Sequence, residues 1–261
     1  MTALQVVATE FLKLRRSPAT WLSLLAYSVG PLSGGLFMWI VQEPGRAARL
    51  GLIGTKAQLG GLSATWESYL TVLAQATGIG GMLLLSVVAA FVFGREYSER
   101  TAKNLLALPV GRYGFVLAKL VVVFAWMGTA TMVLLMEAFA IGTLLELPGM
   151  SAEVAVRGVS NVLLVSAVAF LLVPPVAWIA TLGRGYLPPL GFAVFMLVLG
   201  NVLGATGWGK WFPWSIVPLF AGVAGPRAET LAPGSLAVVA LTATAGLAAT
   251  IAQLTWADNT Q

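Results

Sequence analysis

Six long apolar stretches, separated by short polar ones, set the pattern of this chain: residues 19–41, 70–93, 115–145, 158–182, 188–204 and 233–256. Each is at or above the ~17–25 residues that a helix needs to cross a hydrocarbon core about 30 Å thick. The pattern therefore predicts an all-α integral membrane protein with six transmembrane helices in one transmembrane domain. The third stretch holds about 31 residues and at 1.5 Å each reaches roughly 46 Å, so it reads as one helix projecting beyond the bilayer at its Lys119 end. Pro174 and Pro175 predict a kink in the fourth span. Gly78, Gly80 and Gly81 permit close helix contact or a local irregularity in the second, and Thr242, Gly246 and Thr250 form a ridge of small residues in the sixth.

The stretches outside the spans have patterns of their own. Over residues 4–16, Leu4, Val7, Ala8, Phe11, Leu12 and Leu14 gather on one side of a helix, and Gln5, Thr9, Lys13 and Arg16 on the other; Val6 and Arg15 break the rule. Such a helix lies in the membrane interface with its cations toward anionic head groups. Ser17 before Pro18 is a start signal for the first span, a cap followed by proline at the first helical position. That span is too long for a cleaved signal peptide, and no small-residue cleavage site follows it. Residues 42–69 form a polar, glycine-rich loop, and residues 183–186 a tight turn. In 205–232, Trp208, Trp211, Phe212, Trp214 and Phe220 crowd around Pro213 and Pro218, which predicts a short external element, re-entrant or interfacial.

The connector between the second and third spans, residues 94–119, is the most informative stretch. Glu96 stands four residues before Arg100, and Glu99 four before Lys103, an order that favours a solvated helix. Tyr97, Thr101, Leu105 and Leu108 share one face of that helix, and Pro109 ends it. The spacing predicts a short amphipathic helix over 96–108 with one face free for a partner. A charged connector that only fixes orientation has the same spacing.

Composition narrows the chemistry. The chain is 58% hydrophobic and 10% charged, against about 25% charged in a soluble domain, so a bilayer is its natural solvent. It has no cysteine and no histidine, which removes thiol and Ser–His catalysis, disulfides and the usual zinc or copper ligands. The net charge of +5 is dispersed at the ends of apolar runs and fits membrane orientation rather than nucleic acid. With six spans both termini share a side. Lys13, Arg15, Arg16, Arg95, Arg100, Lys103, Arg112, Lys119 and Arg184 fall on that side, against Arg46, Arg49, Lys56, Arg157, Lys210 and Arg227 on the other. The bias places both termini, and the 96–108 segment, in the cytoplasm.

Residues 204–210 match the first seven positions of a phosphate-binding P-loop, but Trp211 stands where Ser or Thr should reach magnesium, and no strand precedes it. The chain therefore carries no ATP site of its own. Glu137 is the one carboxylate well inside an apolar run, roughly 27 Å along the helix from Lys119. Such groups face the bundle interior or water and are candidates for a substrate path; a structural carboxyl bonded to a neighbouring hydroxyl is the alternative. Gln75, Asn161 and Asn201 read as helix–helix contacts.

Arg95-Glu96-Tyr97, Arg100-Thr101-Ala102-Lys103, Leu105-Leu106, Pro109-Val110-Gly111-Arg112 and Leu117-Ala118-Lys119 together resemble the permease subunits of type-2 ABC exporters, the class that includes bacitracin and lantibiotic immunity transporters. Arg100 stands where that pattern has glycine. The resemblance covers nearly the whole length and implies two six-span permeases, identical or paralogous, carrying two cytoplasmic ATPases in a bacterial inner membrane. It implies that 96–108 is a coupling helix seated in the ATPase. Tyr97, Thr101, Leu105 and Leu108 would be buried there, Glu96 and Arg100 would add polar contacts, and Pro109 and Arg112 would lead into the third span. ATP and magnesium would belong to the partner, and this chain would bind no cofactor and catalyse nothing. The substrate would be amphipathic: a peptide antibiotic, a drug or a lipid-like molecule. An ion-coupled secondary transporter would want inverted repeats and several intramembrane carboxylates, and a polysaccharide-export permease is a relative within the same class.

Overall fold

The computed structural model describes residues 3–52, 63–101 and 111–256. Among them every regular element is helical, and six helical stretches are long and apolar enough to cross a membrane: Pro18–Gln42, Trp66–Ser98, Arg112–Leu144, Ala152–Leu182, Leu187–Gly204 and Ser235–Trp256. They resolve into α2 (Pro18–Tyr27) and α3 (Val29–Gln42), α5 (Trp66–Ala76) and α6 (Met82–Ser98), α7 (Arg112–Leu144), α8 (Ala152–Phe170) and α9 (Val173–Leu182), α10 (Leu187–Gly204), and α13 (Ser235–Trp256). The shorter helices are α1 (Ala3–Arg16) before the first span, α4 (Pro44–Arg49) after it, and α11 (Pro213–Phe220) and α12 (Arg227–Thr230) between the last two.

Three spans are interrupted, each for a local reason. The first breaks at Ser28, where Pro31 enters the first turn of α3 and leaves a carbonyl of the preceding turn without a donor; the sequence pattern predicts no break there. The second passes through a π-helical turn at Thr77–Gly81, the irregularity that its glycines permit. Tyr27 lies against this turn: a Cβ on Gly81 would sit 2.9 Å from the tyrosine hydroxyl. The fourth breaks between α8 and α9, with Pro174 and Pro175 in the first turn of α9, as expected. Gly246 of α13 packs on that kink so closely that a Cβ would meet the Pro175 nitrogen at 2.5 Å, and the Thr250 hydroxyl donates to the Pro174 carbonyl at 3.4 Å. The small-residue ridge of the last span is thus the counterpart of the proline kink.

Helix boundaries depart from the hydropathy pattern where capping decides. The second span starts at Trp66, inside the expected loop, because the Thr65 hydroxyl accepts from the Ser68 amide at 3.3 Å and Trp66 donates to the Pro148 carbonyl at 3.1 Å. The fourth starts at Ala152 under a Ser151 cap. Within the expected re-entrant element, α11 is buried: it packs along α10 and against the π-helical turn, and a Cβ on Gly78 would reach Ala221 at 2.8 Å. Trp208 and Trp211 remain exposed.

The helix expected over 96–108 does not begin at Glu96. Glu96 and Tyr97 are the last turn of α6, which ends at Ser98. The Thr101 amide donates to the Glu96 carbonyl at 2.8 Å and the Arg100 amide to the Tyr97 carbonyl at 3.1 Å, with Arg100 left-handed at φ 56. This is the Schellman arrangement, whose left-handed residue is usually glycine. A non-glycine residue there costs roughly 1–2 kcal/mol. Arg100→Gly is therefore expected to raise the thermal midpoint of the purified protein by about 2–4 °C, while Arg100→Ala leaves it unchanged or lower. Differential scanning fluorimetry in detergent reads both.

Candidate functional site: a buried ion-pair knot at the base of the second and third spans

Helix α1 explains why Val6 breaks its own amphipathic pattern. Val6, Glu10 and Leu14, spaced four apart, are the buried row, and Val6 packs with Phe115 and Ala118 of α7. The row expected to be the apolar face is partly outward, with Phe11 40% and Leu12 46% exposed. So α1 has two apolar faces, one against the protein and one left for lipid. Glu10 shares the protein-facing row, so a carboxylate is carried inward.

It meets Lys119. The Lys119 ammonium donates to Glu10 Oε2 at 3.1 Å, to Glu96 Oε1 at 2.8 Å and to the Val92 carbonyl at 2.6 Å. All three ammonium donors are therefore used. Lys13 bridges the same carboxylates from the outer side, at 2.6 Å from Glu10 Oε1 and 3.3 Å from Glu96 Oε1. Glu10 and Glu96 are each 4% exposed and Lys119 5%. Two carboxylates and two ammoniums give no net charge. Buried ions offset several kcal/mol of desolvation each only when paired and well hydrogen-bonded; here every one is paired, Glu10 accepts through both oxygens and Glu96 accepts twice through Oε1. Burial works to raise the Glu10 carboxyl, but the Lys119 and Lys13 ammoniums outweigh it and hold it below its ordinary value. Burial likewise works to lower Lys13, and Glu10 with Glu96 keeps it above its ordinary value.

A second layer surrounds the knot. Arg95 donates to Glu99 Oε1 at 2.8 Å and to the Lys13 carbonyl at 3.4 Å, so the end of α6 also holds the end of α1. Phe91 stacks on Tyr186 of the turn between the fourth and fifth spans, and a Cβ on Gly94 would lie 2.6 Å from the Gly185 carbonyl. The expected Glu96–Arg100 pair is replaced: Glu96 is tied to Lys119 and Lys13. Glu99 is paired with Arg95. Of the coupling residues read from the sequence, Glu96 is buried, Tyr97 and Arg112 are half-buried, and Arg100 and Thr101 are exposed. Leu105, Leu108 and Pro109, like Lys103, lie outside the described residues. Glu10 and Lys13 were not among the candidates. Their signal was the Val6 anomaly, since Glu10 stands one turn from Val6 on the same row.

Glu137 sits elsewhere, in the far half of α7. Ser28, at the break of the first span, donates to Glu137 Oε1 at 2.8 Å, while Oε2 is buried without a hydrogen-bond partner among the described residues. One turn away, Leu134 lines a cavity of about 290 Å³ between the break at Ser28 and the π-helical turn. Gln75 donates to the Gly222 carbonyl at 2.9 Å and Asn161 accepts from Arg227, so both join elements. Asn201 donates to Leu197 in its own helix. Residues 204–210 close α10 and enter a 3₁₀ turn at Gly209–Trp211, without the strand and helix of a phosphate loop.

A family model described as ABC-2 family transporter protein matches residues 6–200. The bacitracin transport permease protein BCRB of Bacillus licheniformis is 32% identical over 172 residues, which cover 66% of this chain and 82% of the relative. No solved structure matches.

Lys119→Met would leave Glu10 and Glu96 buried without their main counter-charge, at a cost of about 3–5 kcal/mol; adding Glu10→Gln and Glu96→Gln should recover much of it. Reduced thermal midpoint in the single variant and recovery in the triple one check this. The pH dependence follows from the directions of the shifts. Glu10 stabilises the dock fully above 4.5, and that contribution is lost as pH falls through its depressed folded value. Lys13 stabilises it below 10.5, with loss as pH rises through its raised folded value. Hydrogen-exchange protection along α1, taken relative to the intrinsic rate at each pH, should therefore be high across neutral pH and fall in acid below 4.5.

Proposed function

The chain belongs to the ABC-2 family of transporter proteins, and from that premise we propose that it is the membrane-spanning permease subunit of an ATP-driven exporter for an amphipathic substrate. Two such permeases, identical or paralogous, pair with two cytoplasmic ATPases that bind ATP and magnesium. Residues 96–108 meet the ATPase, and the observation that carries this reading is where the knot lies. The 99–111 connection leaves α6 three residues after Glu96 and enters α7 seven residues before Lys119. Glu96 and Lys119 are 2.8 Å apart, and both are bonded to α1. A push on the connection therefore moves the bases of two spans and the interface helix as one body. Tyr97, Arg100, Thr101, Leu105, Leu108, Pro109 and Arg112 are the residues we assign to this contact.

The same end carries α1, the 99–111 connection and the 183–186 turn, with Lys13, Arg15, Arg16, Arg95, Arg100, Arg112 and Arg184. That concentration supports placing both termini in the cytoplasm of a bacterial cell, with the 205–232 element outside. The bacitracin permease relative supports a peptide antibiotic as substrate class. Within the bilayer we assign Glu137 to the substrate path. Its Oε2 is without a hydrogen-bond partner among the described residues, and the cavity at two broken spans is lined one turn away by Leu134; a carboxylate so placed suits a cationic group on the substrate.

Tagged protein is expected to bring down an ATPase from its native host, and Leu105→Asp to abolish the association while the spans keep their thermal midpoint. Association unaffected by Leu105→Asp would contradict the coupling role, and ATP hydrolysis by the purified chain alone would contradict the whole reading. Glu137→Gln should leave the ATPase bound but lower transport of a cationic peptide about tenfold or more, on the scale of one lost charge contact. Unaltered transport would make the Ser28 bond its only role.

A further inference from the structure

Beside the knot, where α1 crosses the start of the first span and the end of the second, lies a cavity of about 600 Å³. Its charged lining is Lys13 and Arg16 of α1 with Arg95 and Glu99 from the end of the second span. Lys13 is neutralised within the knot and Glu99 pairs with Arg95. Arg16 is exposed and makes no ion pair with any described residue. The cavity is left with an excess of positive charge. The first span also begins here, at Ser17 and Pro18.

Two further features define what would fill it. Phe91 and Leu12 supply an apolar wall, so the occupant has an apolar part beside its anionic one. Trp21, 63% exposed on the first turn of the span, donates its indole N–H to the Arg15 carbonyl at 3.3 Å. An outward tryptophan held this way marks the head-group level of a bilayer. A site at that depth, cationic on one side and apolar on the other, fits the phosphate and upper acyl chain of a phospholipid with net negative charge.

We propose that this cavity binds an anionic membrane phospholipid, with Arg16 and Arg95 on its phosphate and its chain against Phe91 and Leu12. The lipid thereby bridges α1 to the first and second spans, next to the ion pairs that fix α1 to the third. This goes beyond the exporter reading and depends only on the chain spanning a membrane.

Native mass spectrometry of the full-length protein, delipidated in detergent, tests it with phosphatidylglycerol, phosphatidylcholine and inorganic phosphate as probes. Phosphatidylglycerol is expected to bind in preference to phosphatidylcholine. Arg16→Gln should weaken it about fivefold and the Arg16→Gln, Arg95→Gln pair about thirtyfold, from the usual contribution of one cation at an anionic membrane surface. Arg16→Lys keeps the charge and should retain most binding, and Arg49→Gln, far from the cavity, should change nothing. Thermal midpoints of each variant separate lost binding from lost folding. Equal binding of the two lipids, an equal loss in Arg49→Gln, or phosphatidylglycerol binding that survives both glutamine substitutions would overturn the assignment. Displacement of the lipid by millimolar inorganic phosphate would overturn its membrane source.

Discussion

One lysine ammonium, buried at the base of the third span, constrains the rest of this fold. Lys119 has three donors and uses each on a different neighbour: Glu10 of the interface helix, Glu96 at the end of the second span, and the Val92 carbonyl one turn before it. A charge in that position is tolerated only while every partner stays in place. The geometry therefore makes three elements dependent on one another, and it does so beside the 99–111 connection. Lys13 closes the knot on its outer side, and Arg95 adds a hydrogen bond to the backbone of α1.

Away from the knot the helices of the bundle are interrupted. Three of the six spans are broken, and the breaks are not scattered. The first-span break at Ser28 adjoins the π-helical turn of the second through Tyr27 and Gly81. That turn in turn abuts the buried helix α11 through Gly78 and Ala221. The fourth-span kink is clasped by Gly246 and Thr250 of the sixth. Backbone irregularity inside a bilayer is tolerated where neighbouring protein covers it, and each break here is covered by another element. Glu137, hydrogen-bonded to the hydroxyl at one of these breaks, joins the third span to the same region.

Much of this was legible in the chain itself. Six apolar runs of sufficient length gave six spans, the Pro174-Pro175 pair gave the kink, and the second-span glycines gave the irregularity, because each feature depends on residues close in sequence. The breaks in reading came where hydropathy ignores a local backbone signal or where a distant partner decides. The first-span break rests on Ser28 and Pro31, which hydropathy reads as unremarkable. Trp66 belongs to the second span because Thr65 caps it and Pro148 accepts its amide. Glu96 looked like one half of a local pair with Arg100, yet the left-handed turn at Arg100 removes the helix that the pair requires. Its true partners stand 83 and 23 positions away. Glu10, the one acidic residue of α1, shared a row with Val6, and that small violation of amphipathic order was the trace of the knot.

The absence of native cysteine gives a direct way to test whether this knot is what holds the interface helix to the third span. Val6, Phe115 and Ala118 form one buried cluster, so the Val6→Cys, Ala118→Cys pair can be oxidised in native membranes and the fraction cross-linked read on a gel. The account predicts rapid, near-complete cross-linking in the otherwise unaltered chain and a marked loss of it when Lys119→Met is added. No cross-link in the first case, or the same yield in both, would contradict it.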